Sequence, residues 1–206
     1  MGGDELFGGY PWRYAAAMGS NNKMYTKNYY RYWQRLVANK EKQQIFNPDI
    51  VRHLEKMNIN GAVPFRNHTL DVFQRVFPNG IEADNREQQI NNSLYFECKT
   101  FLHALLMVED KISMTHSLET RIPFLDNDLV DFAMKTPVSY KIANINELSR
   151  FDENIPNKKS KYYMKTNVGK SILRKTMERI VPDKITQARK QGFSAPDESW
   201  FRGKSE

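Results

Sequence analysis

Residues 87–107 read EQQINNSLYFECKTFLHALLM, the most apolar stretch of a 206-residue chain. Ile90, Leu94, Phe101, Leu102, Leu105 and Leu106 recur with few charges on the inner side, which predicts one or two central buried helices. Working outward, helical spacing returns on both sides. Asn28 to Lys40 carries Tyr29, Tyr32, Trp33, Leu36 and Val37 three and four residues apart, an aromatic stripe that reads as core packing. Asn47-Pro48 sets a capping side chain before a proline suited to the first helical position, and Ile50, Val51, Leu54 and Met57 then line a buried face. Thr69 to Phe77 repeats the pattern and stops at Pro78-Asn79-Gly80.

Downstream, Asp126-Asn127-Asp128 offers a side-chain oxygen to the free amides of a helix that ends near Thr136-Pro137. A further helix is expected from Gly169 to Ile180, closed by Pro182. Strand signals are scarce and short, near Tyr140 to Ile142. Residues 144–166 are polar, lysine-rich and weakly patterned, a surface loop or flap. Lys190 to Pro196 reads as an ordered loop before Trp200-Phe201. The fold class is therefore mainly α.

Hydrophobic residues at 40% and aromatics at 12% exclude a chain too poor in apolar surface to collapse. A chain of this length builds its own core, by default a single one. The lone Cys98 cannot form an internal disulfide, and no charged leader with an apolar run opens the chain, so a cytoplasmic setting is expected. The apolar runs fall far short of a membrane span. The formal charge of +7 favours an anionic partner, but the basic residues are spread out and match no nucleic-acid-binding signature, so a solvated surface and no nucleic-acid partner are expected. Oligomeric state is left open, a homo-oligomer included.

Three segments can carry chemistry. The first, Met1-Gly2-Gly3-Asp4-Glu5-Leu6-Phe7-Gly8-Gly9-Tyr10, sets glycines on both sides of two acids. Glycines let main-chain amides approach a ligand closely, and a nearby carboxylate suits the hard cation that accompanies phosphate; two glycines before a helix-capping Asp give the same string. The second, Glu109-Asp110-Lys111-Ile112-Ser113-Met114 followed by Ser117-Leu118-Glu119-Thr120-Arg121-Ile122-Pro123-Phe124-Leu125-Asp126, places charges in apolar surroundings, where buried ions should be paired. A structural ion pair is the reading favoured for Glu119 and Arg121. The third, Arg189-Lys190-Gln191-Gly192-Phe193, has a lysine able to reach a phosphate or simply to stay at the surface. Gly169-Lys170-Ser171 echoes the end of a phosphate-binding P-loop, but Met164 stands where the first glycine is required, and it is set aside.

Taken in order, these three segments resemble the synthetase domain of asparagine synthases. The resemblance covers nearly the whole chain, although residues 21–88 and 144–166 carry no recognised motif. It implies the helical C-terminal portion of an α/β adenine-nucleotide α-hydrolase-like (ATP pyrophosphatase) synthetase domain, spanning residues 1–206. The implied reaction converts aspartate to β-aspartyl-AMP with ATP and Mg²⁺, releases pyrophosphate, and lets ammonia from glutamine displace AMP.

By the same resemblance Asp4 is the Mg²⁺-pyrophosphate carboxylate, and Gly2 and Gly3 bring backbone amides to the pyrophosphate. Lys190 is the catalytic lysine that stabilises the departing charge, with Lys111, Glu119 and Arg121 as active-site support. Met1 departs from the family pattern, which has glutamate there, and Lys111 departs where arginine is frequent. The family's serine-glycine ATP loop and its glutaminase cysteine have no counterpart here, since Cys98 reads as a packed residue. The expectation is therefore a fragment, inactive alone. Two alternatives stand beside it, a related amidotransferase with another carboxylate acceptor and a non-catalytic helical binding module.

Overall fold

The computed structural model describes residues 1–33, 44–56, 64–147 and 168–188. Helices dominate them in the order Gly3–Leu6, Pro11–Ala17, Asn22–Trp33, Pro48–Lys56, Pro64–Val76 and Arg86–Glu97. A π-helical turn, Cys98–Leu102, then leads into His103–Met114, Asn127–Lys135, Val138–Lys141, Ser171–Met177 and Asp183–Thr186. Among the described residues the β contact is one antiparallel bridge, Ile142 with Gly169. No described helix is long and apolar enough to cross a membrane.

Several helices begin where side chains supply the missing acceptors. Asn85 Oδ1 accepts from the Gln88 amide at 2.9 Å while Gln88 Oε1 accepts from the Asn85 amide at 3.3 Å, a reciprocal capping box. Asp126 Oδ1 accepts from the amides of Asp128 at 3.1 Å and Leu129 at 3.3 Å, the cap expected from the sequence. Asn47 Oδ1 likewise accepts from the Asp49 amide at 2.8 Å.

Among the described residues the core divides into three clusters around the Arg86–Glu97 helix and the opening turn. Tyr14, Ile90, Leu94, Val138 and Ile142 form one, and Ala17, Tyr25, Tyr29, Ala83 and Phe96 a second. Leu6, Phe7 and Ala133 form the third, with Cys98, Leu125, Leu129 and Ile172 packed on it. Polar side chains on the Arg86–Glu97 helix are buried because each meets a partner from elsewhere. Gln89 donates to the carbonyls of Gly19 and Ala83 at 2.9 and 2.8 Å, and Ser93 shares a 2.9 Å hydrogen bond with Tyr25.

Several expectations change. The stretch from Glu87 to Met107 is buried only in its first part: the His103–Met114 helix contains no buried residue, and Val108 and Ile112 are 58% and 59% exposed. Ile50, expected on a buried face, is exposed; Met57 lies outside the described residues. The Tyr140–Ile142 strand signal is a helical turn, Val138–Lys141, because Pro137 fixes an extended entry; of the three residues Ile142, extended and buried, bridges Gly169. The aromatic stripe does form a helix, Asn22–Trp33, with Tyr25, Tyr29 and Tyr32 buried; residues 34–40 lie outside the described region. So do residues 148–166 of the expected flap and the loop 190–196.

Candidate active site

The opening segment is a single helical turn, Gly3–Leu6, followed by a reversal through Gly8-Gly9. Gly2 sits at φ 87°, and a Cβ there would stand 3.0 Å from Leu125 Cδ2 and 3.3 Å from Phe124 Cβ. Glycine is thus required for the turn to close on Pro123–Leu125, which brings the first and second motifs into contact; Phe7 meets Phe124 edge to face at 6.4 Å. At the far end the Gly9 amide donates to the Asp4 carbonyl at 2.7 Å, and a Cβ on Gly9 would fall 1.8 Å from Asp4 Oδ1. The bare backbone of Gly9 therefore leaves room for the Asp4 carboxylate.

The two acids of the motif part company. Glu5 points into the core and is buried. Asp4 stays within reach of solvent, its side chain 27% exposed, with Oδ1 3.0 Å from Nζ of Lys170, itself 32% exposed. Sequence reasoning passed over Lys170 as a broken P-loop. The only local signal was a glycine-lysine pair entering a helix, and the fold gives that pair its meaning by closing the chain back onto the opening turn.

Tyr10 ends the motif against a buried ion pair. Arg13 Nη1 lies 2.7 Å from Glu97 Oε2, and the Arg13 guanidinium sits 4.0 Å over the Tyr10 ring and 4.5 Å over Phe101. Tyr29 adds a 3.4 Å hydrogen bond to Glu97. Burial, with Asp4 and Glu5 nearby, pushes the Tyr10 phenol well above the ordinary tyrosine range, so it remains protonated and is no base at neutral pH. Burial, reinforced by Glu5 and Glu97, pushes the Cys98 thiol up to about 12, which fits a packed residue rather than a nucleophile. Lys141, buried behind Gly8, has its ammonium form disfavoured by desolvation.

The remaining sequence candidates fall elsewhere. Lys111 is exposed on the His103–Met114 helix. Glu119 and Arg121 do pair, at 2.5 Å, but at 72% and 83% exposure they form a solvated surface pair and not one in apolar surroundings. Lys190 lies outside the described residues. Among the described residues no three His, Cys, Asp or Glu side chains gather into a metal cage. One accessible carboxylate is nonetheless a donor that Mg²⁺ uses when phosphate oxygens and waters complete its shell, so Asp4 fits that ion, although the Lys170 ammonium beside it adds no ligand.

The asparagine synthase family profile matches residues 1–206. Asparagine synthetase [glutamine-hydrolyzing] 1 of Bacillus subtilis is 30% identical over 160 residues, 77% of this chain and 20% of the relative. Asparagine synthetase [glutamine-hydrolyzing] 3 of the same organism is 26% identical over 190 residues, 92% of this chain and 25% of the relative. Amidase chyE of Penicillium rubens is 27% identical over 155 residues, 69% of this chain and 21% of the relative. The chain thus spans a fifth to a quarter of the length of these relatives. No solved structure matches it. With its opening turn closed on the Pro123–Leu125 motif and the family profile matched from end to end, the chain belongs to the asparagine synthase family.

Proposed function

We infer that the chain supplies the pyrophosphate side of an ATP-dependent amide ligase of the asparagine synthase type, which adenylates a carboxylate and passes it to ammonia drawn from glutamine. The observation that carries this reading is the Asp4 carboxylate, kept accessible by Gly9 and faced by an ammonium, at the end of a turn that a second family motif holds closed. Bound there, Mg²⁺ would neutralise charge on the phosphate oxygens as pyrophosphate departs. Asp4 would hold the ion, and the amides of Gly2 and Gly3 would approach the pyrophosphate. Lys190 offsets the negative charge that grows in the transition state, where a fixed cation acts most strongly. Lys111, Glu119 and Arg121, all exposed, are kept in this reading as active-site support.

The exposed apolar residues of the His103–Met114 helix support the finer fold assignment. Val108 and Ile112, one turn apart on that helix, offer a face on which the nucleotide-binding sheet of an α/β synthetase domain can pack. ATP would enter from that sheet, and a cytoplasmic setting follows from the substrates. Aspartate is the acceptor on this reading. A related amidotransferase acting on another carboxylate stands beside it, because nothing in the motifs fixes the acceptor.

Carboxylate-¹⁸O transfer in the full-length gene product tests the reading. Adenylation followed by amide formation moves one labelled oxygen from the acceptor to AMP. Label in AMP with aspartate supports asparagine synthesis, and label only with another carboxylate supports the second acceptor class. Absence of ATP-dependent transfer with every carboxylate tried contradicts ligase function. In the same assay Lys190→Ala is expected to lower the rate by about 10² to 10³ without unfolding the protein.

A further inference from the structure

Arg174 joins two parts of the chain that the sequence keeps apart. It lies on the Ser171–Met177 helix, whose Ile172 and Leu173 pack on the cluster of Leu6, Phe7 and Ala133 at the opening turn. The entry to that helix is laid on the same turn. A Cβ on Gly169 would stand 2.4 Å from the Gly8 carbonyl oxygen, and Ile142 forms its antiparallel bridge with Gly169. The helix is therefore fastened to the turn that carries Asp4.

From this base Arg174, itself half-buried, reaches three carbonyls. Its Nε donates to Gly169 at 3.4 Å, and its Nη1 donates to Thr186 at 2.6 Å and to Ala188 at 3.1 Å. The last two belong to the end of the Asp183–Thr186 helix, where the final carbonyls have no partner within the helix. A helix of one turn has little stability of its own, so an outside donor decides where its end rests. Arginine suits the task because its planar fork sends donors in two fixed directions at once, to Gly169 on one side and to Thr186 and Ala188 on the other.

Lys190 stands two residues beyond Ala188 in the sequence, and two residues of chain reach no further than about 7 Å. Holding the Ala188 carbonyl therefore limits where the lysine can start from. A fixed cation offsets growing charge best when it is placed in advance, and a misplacement of about 1 Å can cost about 10² in rate.

We propose that Arg174 is a positioning residue for Lys190. It ties the chain leading to that lysine to the turn that carries Asp4, so that carboxylate and ammonium keep one spacing around the departing pyrophosphate. This rests on the pyrophosphate reading of the turn, with Lys190 as its cation. Arg174 acts through the backbone it holds and not on the reacting atoms.

A double-mutant cycle on ATP-dependent pyrophosphate release by the full-length protein tests it. Arg174→Ala is expected to lower kcat by about ten- to hundredfold with KM for ATP within about twofold, because a misplaced lysine is missed in the transition state. In a Lys190→Ala background the same change should alter the rate by no more than about twofold, since no lysine is left to position. Arg174→Lys, which keeps the charge but not the fork, should fall between wild type and Arg174→Ala, and it carries the same cycle if Arg174→Ala does not fold. An equal fractional loss in both backgrounds would mean that Arg174 only braces the fold, and the inference would be wrong. It would be wrong by itself if Lys190→Ala lost activity while Arg174→Ala stayed within about twofold of wild type. Lys190→Ala at the wild-type rate would instead overturn the place of that lysine in the pyrophosphate reading, and this inference with it.

Discussion

The run from Arg86 to Met114 continues through a π-helical turn, yet its two ends live in different surroundings. In Arg86–Glu97 the buried set includes Gln89, Ser93 and Glu97, three polar side chains. In His103–Met114, which is far richer in Leu, Met, Val and Ile, no residue is buried. Burial in the first half follows from partners: Gln89 reaches Gly19, Ser93 reaches Tyr25, and Glu97 reaches Arg13. Exposure in the second half marks a surface that the described residues leave uncovered. Apolar character shows that a face wants a neighbour; the described residues do not supply one for this helix.

The sharpest way to break this contrast is Glu97→Ala. It strips the partner from Arg13, a cation enclosed between Tyr10 and Phe101, and leaves the Tyr29 hydroxyl without that acceptor. A loss of about 3–5 kcal/mol in unfolding free energy is expected, because a buried guanidinium loses its carboxylate. Denaturant titration reads this directly, and a loss below about 1 kcal/mol would mean that Arg13 finds water or another acceptor.

Gly169→Ala probes the seam between the distant segment and the opening turn. Its Cβ meets the backbone carbonyl of Gly8, which has little freedom to yield. A loss of about 1–3 kcal/mol is expected from overpacking. An unchanged midpoint would show that the two segments separate easily.

Cys98 lies where the run passes from its buried to its exposed half. With its thiol pushed up to about 12, its alkylation by iodoacetamide at pH 8 should be roughly thirtyfold slower than that of an unfolded-chain cysteine. The suppressed thiolate and the greater intrinsic reactivity of a high-pKa thiolate partly offset. A folded value above the unfolded one means that the folded state keeps its proton longer, so this contribution to stability is present below about pH 9 and fades as pH climbs towards 12. Alkylation as fast as in denaturant would place the thiol in water.

The smallest effect belongs to the exposed side. Glu119→Ala removes a pair with both partners mostly in water, and unfolding free energy should move by no more than about 0.5 kcal/mol. A larger loss would draw the surface pair into the same class as Arg13–Glu97.

Much of the helical framework was readable from local signals. The Asp126 cap, the Asn47 cap and the tyrosine spacing before Trp33 each specify their helix through contacts within a few residues. Legibility fails where contacts are distant. Nothing near Glu97 announces Arg13, and nothing near Gly169-Lys170 announces the turn at Gly8-Gly9. Of the candidate site, the glycine motif pointed to Asp4, and the structure shows that carboxylate part exposed beside Lys170. The need for glycine at position 2 came instead from Phe124 and Leu125, a partner that no spacing within the motif could reveal. Glu119 and Arg121 were paired as expected, but apolar neighbours in sequence did not become apolar surroundings in space.

Pyrophosphate release by the full-length protein carrying Asp4→Asn addresses the central claim most directly. Asparagine keeps the size of the side chain and removes its charge, so circular dichroism should be unchanged while ATP-dependent release falls by about 10² to 10³. Release within twofold of wild type, with the fold intact, would contradict the assignment of this carboxylate to the departing pyrophosphate.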